Sequence, residues 1–319
     1  MQAGSSVKGR IVDYLELVRV FLTPTAIADS AAGFLAASAP ESLAGPSILR
    51  LLGACLGSVA AYWLGMALND LCDRAKDAQT APQKPIPQGR VTARGAAVLC
   101  AALALAVLST ALALQTVWAA LALLAAIAAY DGGAKRVPIL GNLVMGGCRG
   151  LNFLWGAACA AGEGAVLGDV DMLLGSCLLA LFVAGVTAVS RLEDAPFDAG
   201  RLTTRALPIL AVPAVLGAAA WHEPMAILNA LLLAVLLAGA LRSALAAGAS
   251  PGARFHGAQV YVRKALAGLF FVDAGLVAAL LSGSEQAGVR RLSILALYGL
   301  FLWAWAWKRA WLRRGSAGS

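Results

Sequence analysis

Residues 65–92 read GMALNDLCDRAKDAQTAPQKPIPQGRVT, and the order of chemistry along them decides the fold. An apolar run ends at Asn69 and passes at once into Asp70, Asp73 and Asp77; Pro85, Pro87 and Gly89 then interrupt the chain before the next apolar run begins. On a helix Asn69, Asp73 and Asp77 stand one turn apart on a shared face, with Asp70 beside them. Like charges at this spacing destabilise a helix, and here they also meet the negative end of its dipole. Something cationic has to compensate them.

Outward from this stretch the chain is overwhelmingly apolar. Of 319 residues, 60% are hydrophobic and 13% charged, against roughly 45–50% and 25% in an ordinary soluble domain. Apolar runs fall at 13–38, 47–69, 95–113, 116–130, 138–161, 170–190, 204–220, 225–247, 262–282 and 289–311. At roughly 20 residues per span, they predict an all-α polytopic protein whose residues 1–319 form a single membrane domain. The first run ends in LAASAP, which imitates a signal-peptide cleavage site, but its length, Arg19 and Asp29 favour a retained helix. The short fourth run follows a hairpin at Gln115 and Thr116 and makes up its length by tilt.

With the N-terminus cytoplasmic, every basic residue except Arg50, Arg290 and Arg291 falls on the cytoplasmic side, as the positive-inside rule asks. Both termini and the acidic loops are therefore expected there, and the net charge of +8 requires no nucleic acid. The six cysteines form no C-x-x-C pair, and His222 and His256 alone support neither a histidine metal site nor a Ser-His-Asp triad.

Topology does not explain the acids on that side: Asp70, Asp73, Asp77, Asp131, Glu193, Asp194 and Asp198. In TAVSRLEDAPFDAGR, residues 187–201, Asp194 and Asp198 repeat the four-residue spacing of Asp73 and Asp77. Carboxylates converging from two helix ends suit Mg²⁺, which prefers oxygen ligands and shares its shell with substrate phosphates. A solvated loop with scattered acids is the competing reading; two clusters matched in spacing and side weigh against it. Between them lies YDGGAKRVPILGNLVMGGCRGLNFLWG, residues 130–156. Lys135, Arg136 and Arg149 can present cations to a pyrophosphate. Taken alone, Lys135 and Arg136 are better explained by simple positive-inside anchoring, whereas Arg149 lies about two turns deeper than an anchor needs. Asp29 and Asp273 are intramembrane acids that either face a cavity or bond a neighbouring helix. Trp303, Trp305, Trp307 and Trp311, beside Lys308, Arg309, Arg313 and Arg314, read as an interfacial anchor.

Together these residues resemble the UbiA superfamily of intramembrane prenyltransferases. The family's N-D-x-x-D-x-x-x-D is matched by Asn69 to Asp77. Its R-P-[L/I]-P-x-G-x-[I/V]-[S/T] is matched by Lys84 to Thr92, with Lys84 in place of arginine. The Y-x-x-x-K-R segment is similar to Tyr130 to Arg136, shifted by one residue. The second motif keeps Asp194 and Asp198, while Ser190 and Arg191 stand where Asn and Asp are common. MGGCRGLNFLWG further resembles an EboC-like branch.

The resemblance implies nine helices ringed around a lipid-open cavity, with the run at 289–311 as an additional C-terminal helix. It implies that two Mg²⁺ ions, held by Asn69, Asp70, Asp73, Asp77, Asp194 and Asp198, bind an isoprenyl diphosphate. Those five aspartates then form the catalytic set, and Asn69, Lys84, Lys135, Arg136 and Arg149 contact the pyrophosphate. The partners implied are that diphosphate and a lipophilic acceptor with an aromatic carbon or hydroxyl nucleophile. The two motifs would end the second and sixth helices of two parallel four-helix repeats. The rival readings are a transporter or carrier with coupled carboxylates, and an isoprenoid-binding relative without turnover.

Overall fold

The computed structural model describes residues 7–38, 46–193, 196–249, 256–281, 291, 293–304 and 306, and every regular element among them is helical. Along the chain these are α1 (Val7–Leu17), α2 (Thr23–Ala37), α3 (Pro46–Cys72), α4 (Arg74–Thr80), α5 (Ala93–Leu114), α6 (Val117–Gly132) and α7 (Pro138–Ala161). There follow α8 (Glu163–Gly168), α9 (Val170–Ser190), α10 (Ala199–Ala219), α11 (Pro224–Gly248), α12 (His256–Ala265), α13 (Leu269–Leu280) and α14 (Ser293–Ala304). Six of the described helical segments are long and apolar enough to cross a membrane, while α6 and α14 are shorter apolar helices.

The boundaries follow local chemistry. Pro138 occupies the first turn of α7, where its missing N–H costs nothing, and Gly162 ends the helix at φ +89°. Thr92 caps α5 by accepting from the Gly95 N–H at 3.0 Å. The run at 13–38 is two helices rather than one, because Arg19 adopts a left-handed conformation (φ 49°, ψ 52°) between α1 and a short 3₁₀ turn at Val20–Leu22. The run at 262–282 is likewise divided, with a 3₁₀ turn at Leu266–Gly268 between α12 and α13. Of the run at 289–311, α14 is described; Trp305, Trp307, Lys308, Arg309, Trp311, Arg313 and Arg314 lie outside the described residues.

Helix α7 is the central post, packing on α2 and α9. Small residues make that approach close, as expected where lipid supplies no hydrophobic drive between helices. A Cβ on Gly156 would collide with the Ser30 carbonyl of α2, and one on Gly146 with the Ala180 carbonyl of α9. Both obstacles are backbone and cannot move aside. Gly156→Ala is therefore expected to lower unfolding free energy by about 2 kcal/mol, the usual scale of core overpacking. Gly147→Ala on the same helix, whose Cβ would meet nothing, is the matched control in a thermal melt. At the other end of the bundle from the acidic motifs, Arg50 donates to the terminal carbonyls of two helices, Cys159 at 2.8 Å and Leu114 at 3.2 Å.

Candidate active site

Helical spacing continues through the junction of α3 and α4: the Asp73 N–H donates to the Asn69 carbonyl at 2.9 Å, and the Asp77 N–H to the Asp73 carbonyl at 2.8 Å. The four polar residues of the first motif are thereby held in fixed register, but they do not act as one cluster.

Asp70 and Asp77 are buried, and Lys84 spans them, with Nζ 3.1 Å from Asp70 Oδ1 and 2.7 Å from Asp77 Oδ2. Arg19 reaches Asp70 from the helix break at 3.4 Å. The loop that delivers Lys84 is compact: the Val91 N–H donates to the Pro85 carbonyl at 3.1 Å, and Gly89 takes φ +72°, a conformation costly for a residue with a Cβ. Lys84 thus neutralises this motif's own carboxylates.

Asn69 and Asp73 join a second group. Asn69 Nδ2 donates to Asp131 Oδ1 at 2.9 Å, and Lys135 Nζ lies 2.9 Å from Asp73 Oδ1 and 3.2 Å from Asp131 Oδ1. Burial opposes the Lys135 ammonium, but the hydrogen bond and charge of Asp73, together with Asp131, outweigh it and hold its pKa above the ordinary lysine value. The Asp73 side chain is 27% exposed against 6% for Asp70. It is therefore the carboxylate of the first motif that opens outward.

It opens into a cavity of about 800 Å³ walled by Asn69, Cys72, Ala75, Tyr130, Thr187 and Ser190, together with Arg19, Lys76, Lys135, Arg136 and Arg191. Among the described lining residues five cations face one carboxylate. Arg191 is anchored by donating from Nε to Asn142 Oδ1 at 2.7 Å and from Nη2 to the Lys135 carbonyl at 3.1 Å. Arg19, Lys76 and Arg191 were not among the site residues expected from the sequence. Arg19 was visible as a charge inside an apolar run, and Arg191 as a departure from the second motif.

Of the two aspartates in the second motif, Asp198 alone is among the described residues; Asp194 lies outside them. Asp198 is extended (φ −136°, ψ 110°) and caps the start of α10, accepting from the Arg201 N–H at 3.0 Å, instead of standing at the C-terminal end of α9. It lines a small hollow with Phe197 and Leu202, apart from the cationic wall. The C-terminal ends of α3 and α9 do meet at the cavity, through Asn69 and Cys72 on one side and Thr187 and Ser190 on the other, but Asp198 lies beyond α9 in extended chain.

Arg149 also stands elsewhere. It pairs with Asp29 through Nε at 2.7 Å and Nη2 at 2.9 Å, and donates to the Thr25 carbonyl at 2.8 Å. It borders an inner pocket of about 100 Å³, lined mostly by apolar side chains, which shares Asn69 and Tyr130 with the cationic cavity.

Among the described residues no three acids, histidines or cysteines converge as a ready-made metal cage. The outward-facing donors, the Asn69 amide and the Asp73 carboxylate, are oxygen ligands. They fit the habit of Mg²⁺, which is commonly held by one or two carboxylates with substrate phosphates completing its shell.

The profile of the UbiA prenyltransferase family matches residues 24–266. A digeranylgeranylglyceryl phosphate synthase of Haloquadratum walsbyi is 30% identical over 194 residues, 60% of this chain and 65% of that protein. One of Natronomonas pharaonis is 30% identical over 149 residues, 46% of this chain and 53% of that protein. The chain therefore spans between about half and two thirds of the length of these relatives. In fold it is similar to the apo structure of a UbiA homologue from Aeropyrum pernix K1, with a TM-score of 0.63 at 20% identity over 81% of this chain and 98% of that one.

Proposed function

The chain belongs to the UbiA prenyltransferase family, and from that premise we propose that it transfers a prenyl group from an isoprenyl diphosphate to a lipophilic acceptor within the membrane. The observation that carries this reading is the cavity wall, where Arg19, Lys76, Lys135, Arg136 and Arg191 surround the single described carboxylate of Asp73. Asp70 behind Arg19 and Asp131 behind Lys135 offset part of this charge; the cations that remain in excess beside an apolar bundle suit a ligand with a polyanionic head and a hydrocarbon tail.

The work of these residues follows from their placement. Lys135 and Arg191 are held in position before substrate arrives, so they stabilise the developing negative charge of a leaving pyrophosphate without reorganisation. The carbon–oxygen bond at prenyl C1 breaks with both electrons leaving on the pyrophosphate. A hydroxyl lone pair or an aromatic π pair forms the new bond to C1, and the nucleophile's displaced proton passes to pyrophosphate or solvent. Asn69 and Asp73 would hold Mg²⁺, which when bound supplies further charge neutralisation on the phosphates. A second ion would draw on Asp194. Asp70 and Asp77, bridged by Lys84, set the position of Asp73 one helical turn from each neighbour. The apolar surroundings exclude the water that would otherwise capture the allylic cation. By the positive-inside argument the cavity faces the cytoplasm.

A carrier with coupled carboxylates is the weaker reading. Such proteins place their charges near the bilayer midplane between inverted repeats, whereas the cationic wall here is built from the ends of α3, α6 and α9.

Binding of geranyl diphosphate and of geraniol to the full chain in nanodiscs with Mg²⁺, measured by calorimetry, tests the proposal. Saturable binding of the diphosphate, weakened by chelator and by salt, and none of the alcohol at the same concentration are expected. Equal binding of the two would overturn it.

A further inference from the structure

Arg90 does not line the cationic cavity. Its side chain stands instead between α1 and the loop at residues 81–92, the loop that delivers Lys84. A guanidinium carries five N–H donors in a fixed plane, and here every one of them has an acceptor. Nη1 donates to Asp13 Oδ1 and, at 2.7 Å, to Glu16 Oε2. Nη2 donates to Glu16 Oε1 at 3.1 Å and to the Gln83 carbonyl at 3.3 Å, and Nε to Gln88 Oε1 at 2.6 Å. No N–H is left over for a substrate anion.

An isolated ion pair at a surface contributes little, but bidentate geometry and networks are the exceptions. Both hold for Arg90. Glu16 meets the guanidinium fork with both carboxylate oxygens. Asp13, one turn earlier on α1, would repel Glu16 without a cation shared between them. Among the described residues, the side-chain hydrogen bonds that join α1 to this loop all come from Arg90.

Each end of this tether adjoins a cation of the candidate site. The Glu16 carbonyl accepts from the Arg19 N–H at 3.0 Å, so the residue gripped through its side chain also leads into the helix break. At that break Arg19 is left-handed (φ 49°), a conformation that a residue with a Cβ keeps only where its surroundings hold it. Gln83, gripped through its carbonyl, immediately precedes Lys84. Arg19 and Lys84 then converge on Asp70 Oδ1, at 3.4 and 3.1 Å. Of these two cations, Arg19 lines the cavity, with a side chain 38% exposed.

We propose that Arg90 is a positioning residue: it ties α1 to the Lys84 loop and thereby holds the Arg19 guanidinium at the cavity wall for an anionic substrate that Arg90 itself never touches. On the prenyl-transfer reading, on which this rests, that substrate is the isoprenyl diphosphate. Without the tether Arg19 has to be ordered as the diphosphate binds, and the cost emerges as lost affinity.

The test compares wild type, Arg90→Ala, Arg19→Ala and the double variant for binding of geranyl diphosphate with Mg²⁺, by calorimetry on the full chain in nanodiscs. Arg90→Ala is expected to weaken binding about three- to tenfold, the range for immobilising one long side chain. Arg19→Ala removes the cation itself and should cost at least as much. Because Arg90 acts through Arg19, adding Arg90→Ala to Arg19→Ala should change affinity by less than about twofold. Arg90→Lys keeps the charge but not the planar fork, and should bind like Arg90→Ala. Hydrogen exchange of residues 14–22 without ligand, followed by mass spectrometry, should quicken about tenfold in Arg90→Ala.

Unchanged binding in Arg90→Ala would overturn the proposal even with faster exchange, since the tether would then serve stability alone. Additive losses would overturn it as well, and so would rescue by Arg90→Lys, which would make Arg90 a plain long-range charge. Should Arg90→Ala fail to fold, Glu16→Ala loosens the same tether from the α1 side and carries the same expectations. A wild-type chain that binds no geranyl diphosphate would remove the prenyl-transfer reading. Exchange at residues 14–22 would still decide whether Arg90 holds Arg19 in place, and unchanged exchange would overturn that too.

Discussion

Lys135→Met is expected to lower the rate of pyrophosphate release from an isoprenyl diphosphate by about 100-fold or more, the cost of removing one preorganised group that stabilises developing charge. Its ammonium lies 2.9 Å from Asp73 and 3.2 Å from Asp131 at the wall of the cavity, and it is 12% exposed. Replacing it removes a cation from the leaving group and also sets two carboxylates beside one another without a counter-charge. Arg242→Ala on the exposed side of α11 is the control for simple charge loss and should leave the rate unchanged. Equal, small effects at both positions would return Lys135 to the role of a membrane anchor. Rates are to be compared per folded protein, since Lys135 also ties α6 to the end of α3.

The same residue sets a pH expectation. Its pKa in the folded protein is raised above 10.5, so the stability contributed by its ion pairs is complete below that value and is lost as pH climbs through the raised pKa. A descending limb in the pH–rate profile well below 10.5 would therefore belong to some other group.

What the sequence made legible was set by local rules. The span expected at 138–161 coincides with α7, because Pro138 and Gly162 mark its ends by backbone chemistry alone. The span at 13–38 is broken at Arg19, whose left-handed backbone no apolar periodicity announces. Lys84 stood in the position of a motif arginine, and its proximity in sequence to both Asp70 and Asp77 concealed nothing. Only the loop's fold, however, decides that it bridges those carboxylates. Arg191 was visible as a mismatch, yet its contribution to the cavity depends on Asn142 and the Lys135 carbonyl, which are distant in sequence. The repeated D-x-x-x-D spacing does not by itself define a shared face, and Asp194 lies outside the described residues. Equal spacing implies a shared face only if both segments are helical, and Asp198 instead begins a new helix.

The pairing of Asp29 with Arg149 predicts a large and non-additive effect on stability. Asp29 is fully buried in α2 and Arg149 nearly so in α7, and the guanidinium meets both carboxylate oxygens, at 2.7 and 2.9 Å. A charged pair inside the bundle adds little net stability, because both ions have lost their water; removing one partner is different, since it strands the other charge. Asp29→Asn, which preserves shape and removes the negative charge, is expected to cost about 3–5 kcal/mol in unfolding free energy. Arg149→Met leaves Asp29 able to discharge by taking a proton and should cost less. The double variant should be more stable than the sum of the two losses predicts, by roughly 1–3 kcal/mol, the coupling typical of residues in direct contact. Denaturant unfolding in a fixed detergent composition measures all four proteins of the cycle. Strictly additive losses would mean that the contact carries no coupling, and that Arg149 is held at the pocket wall by the Thr25 carbonyl instead.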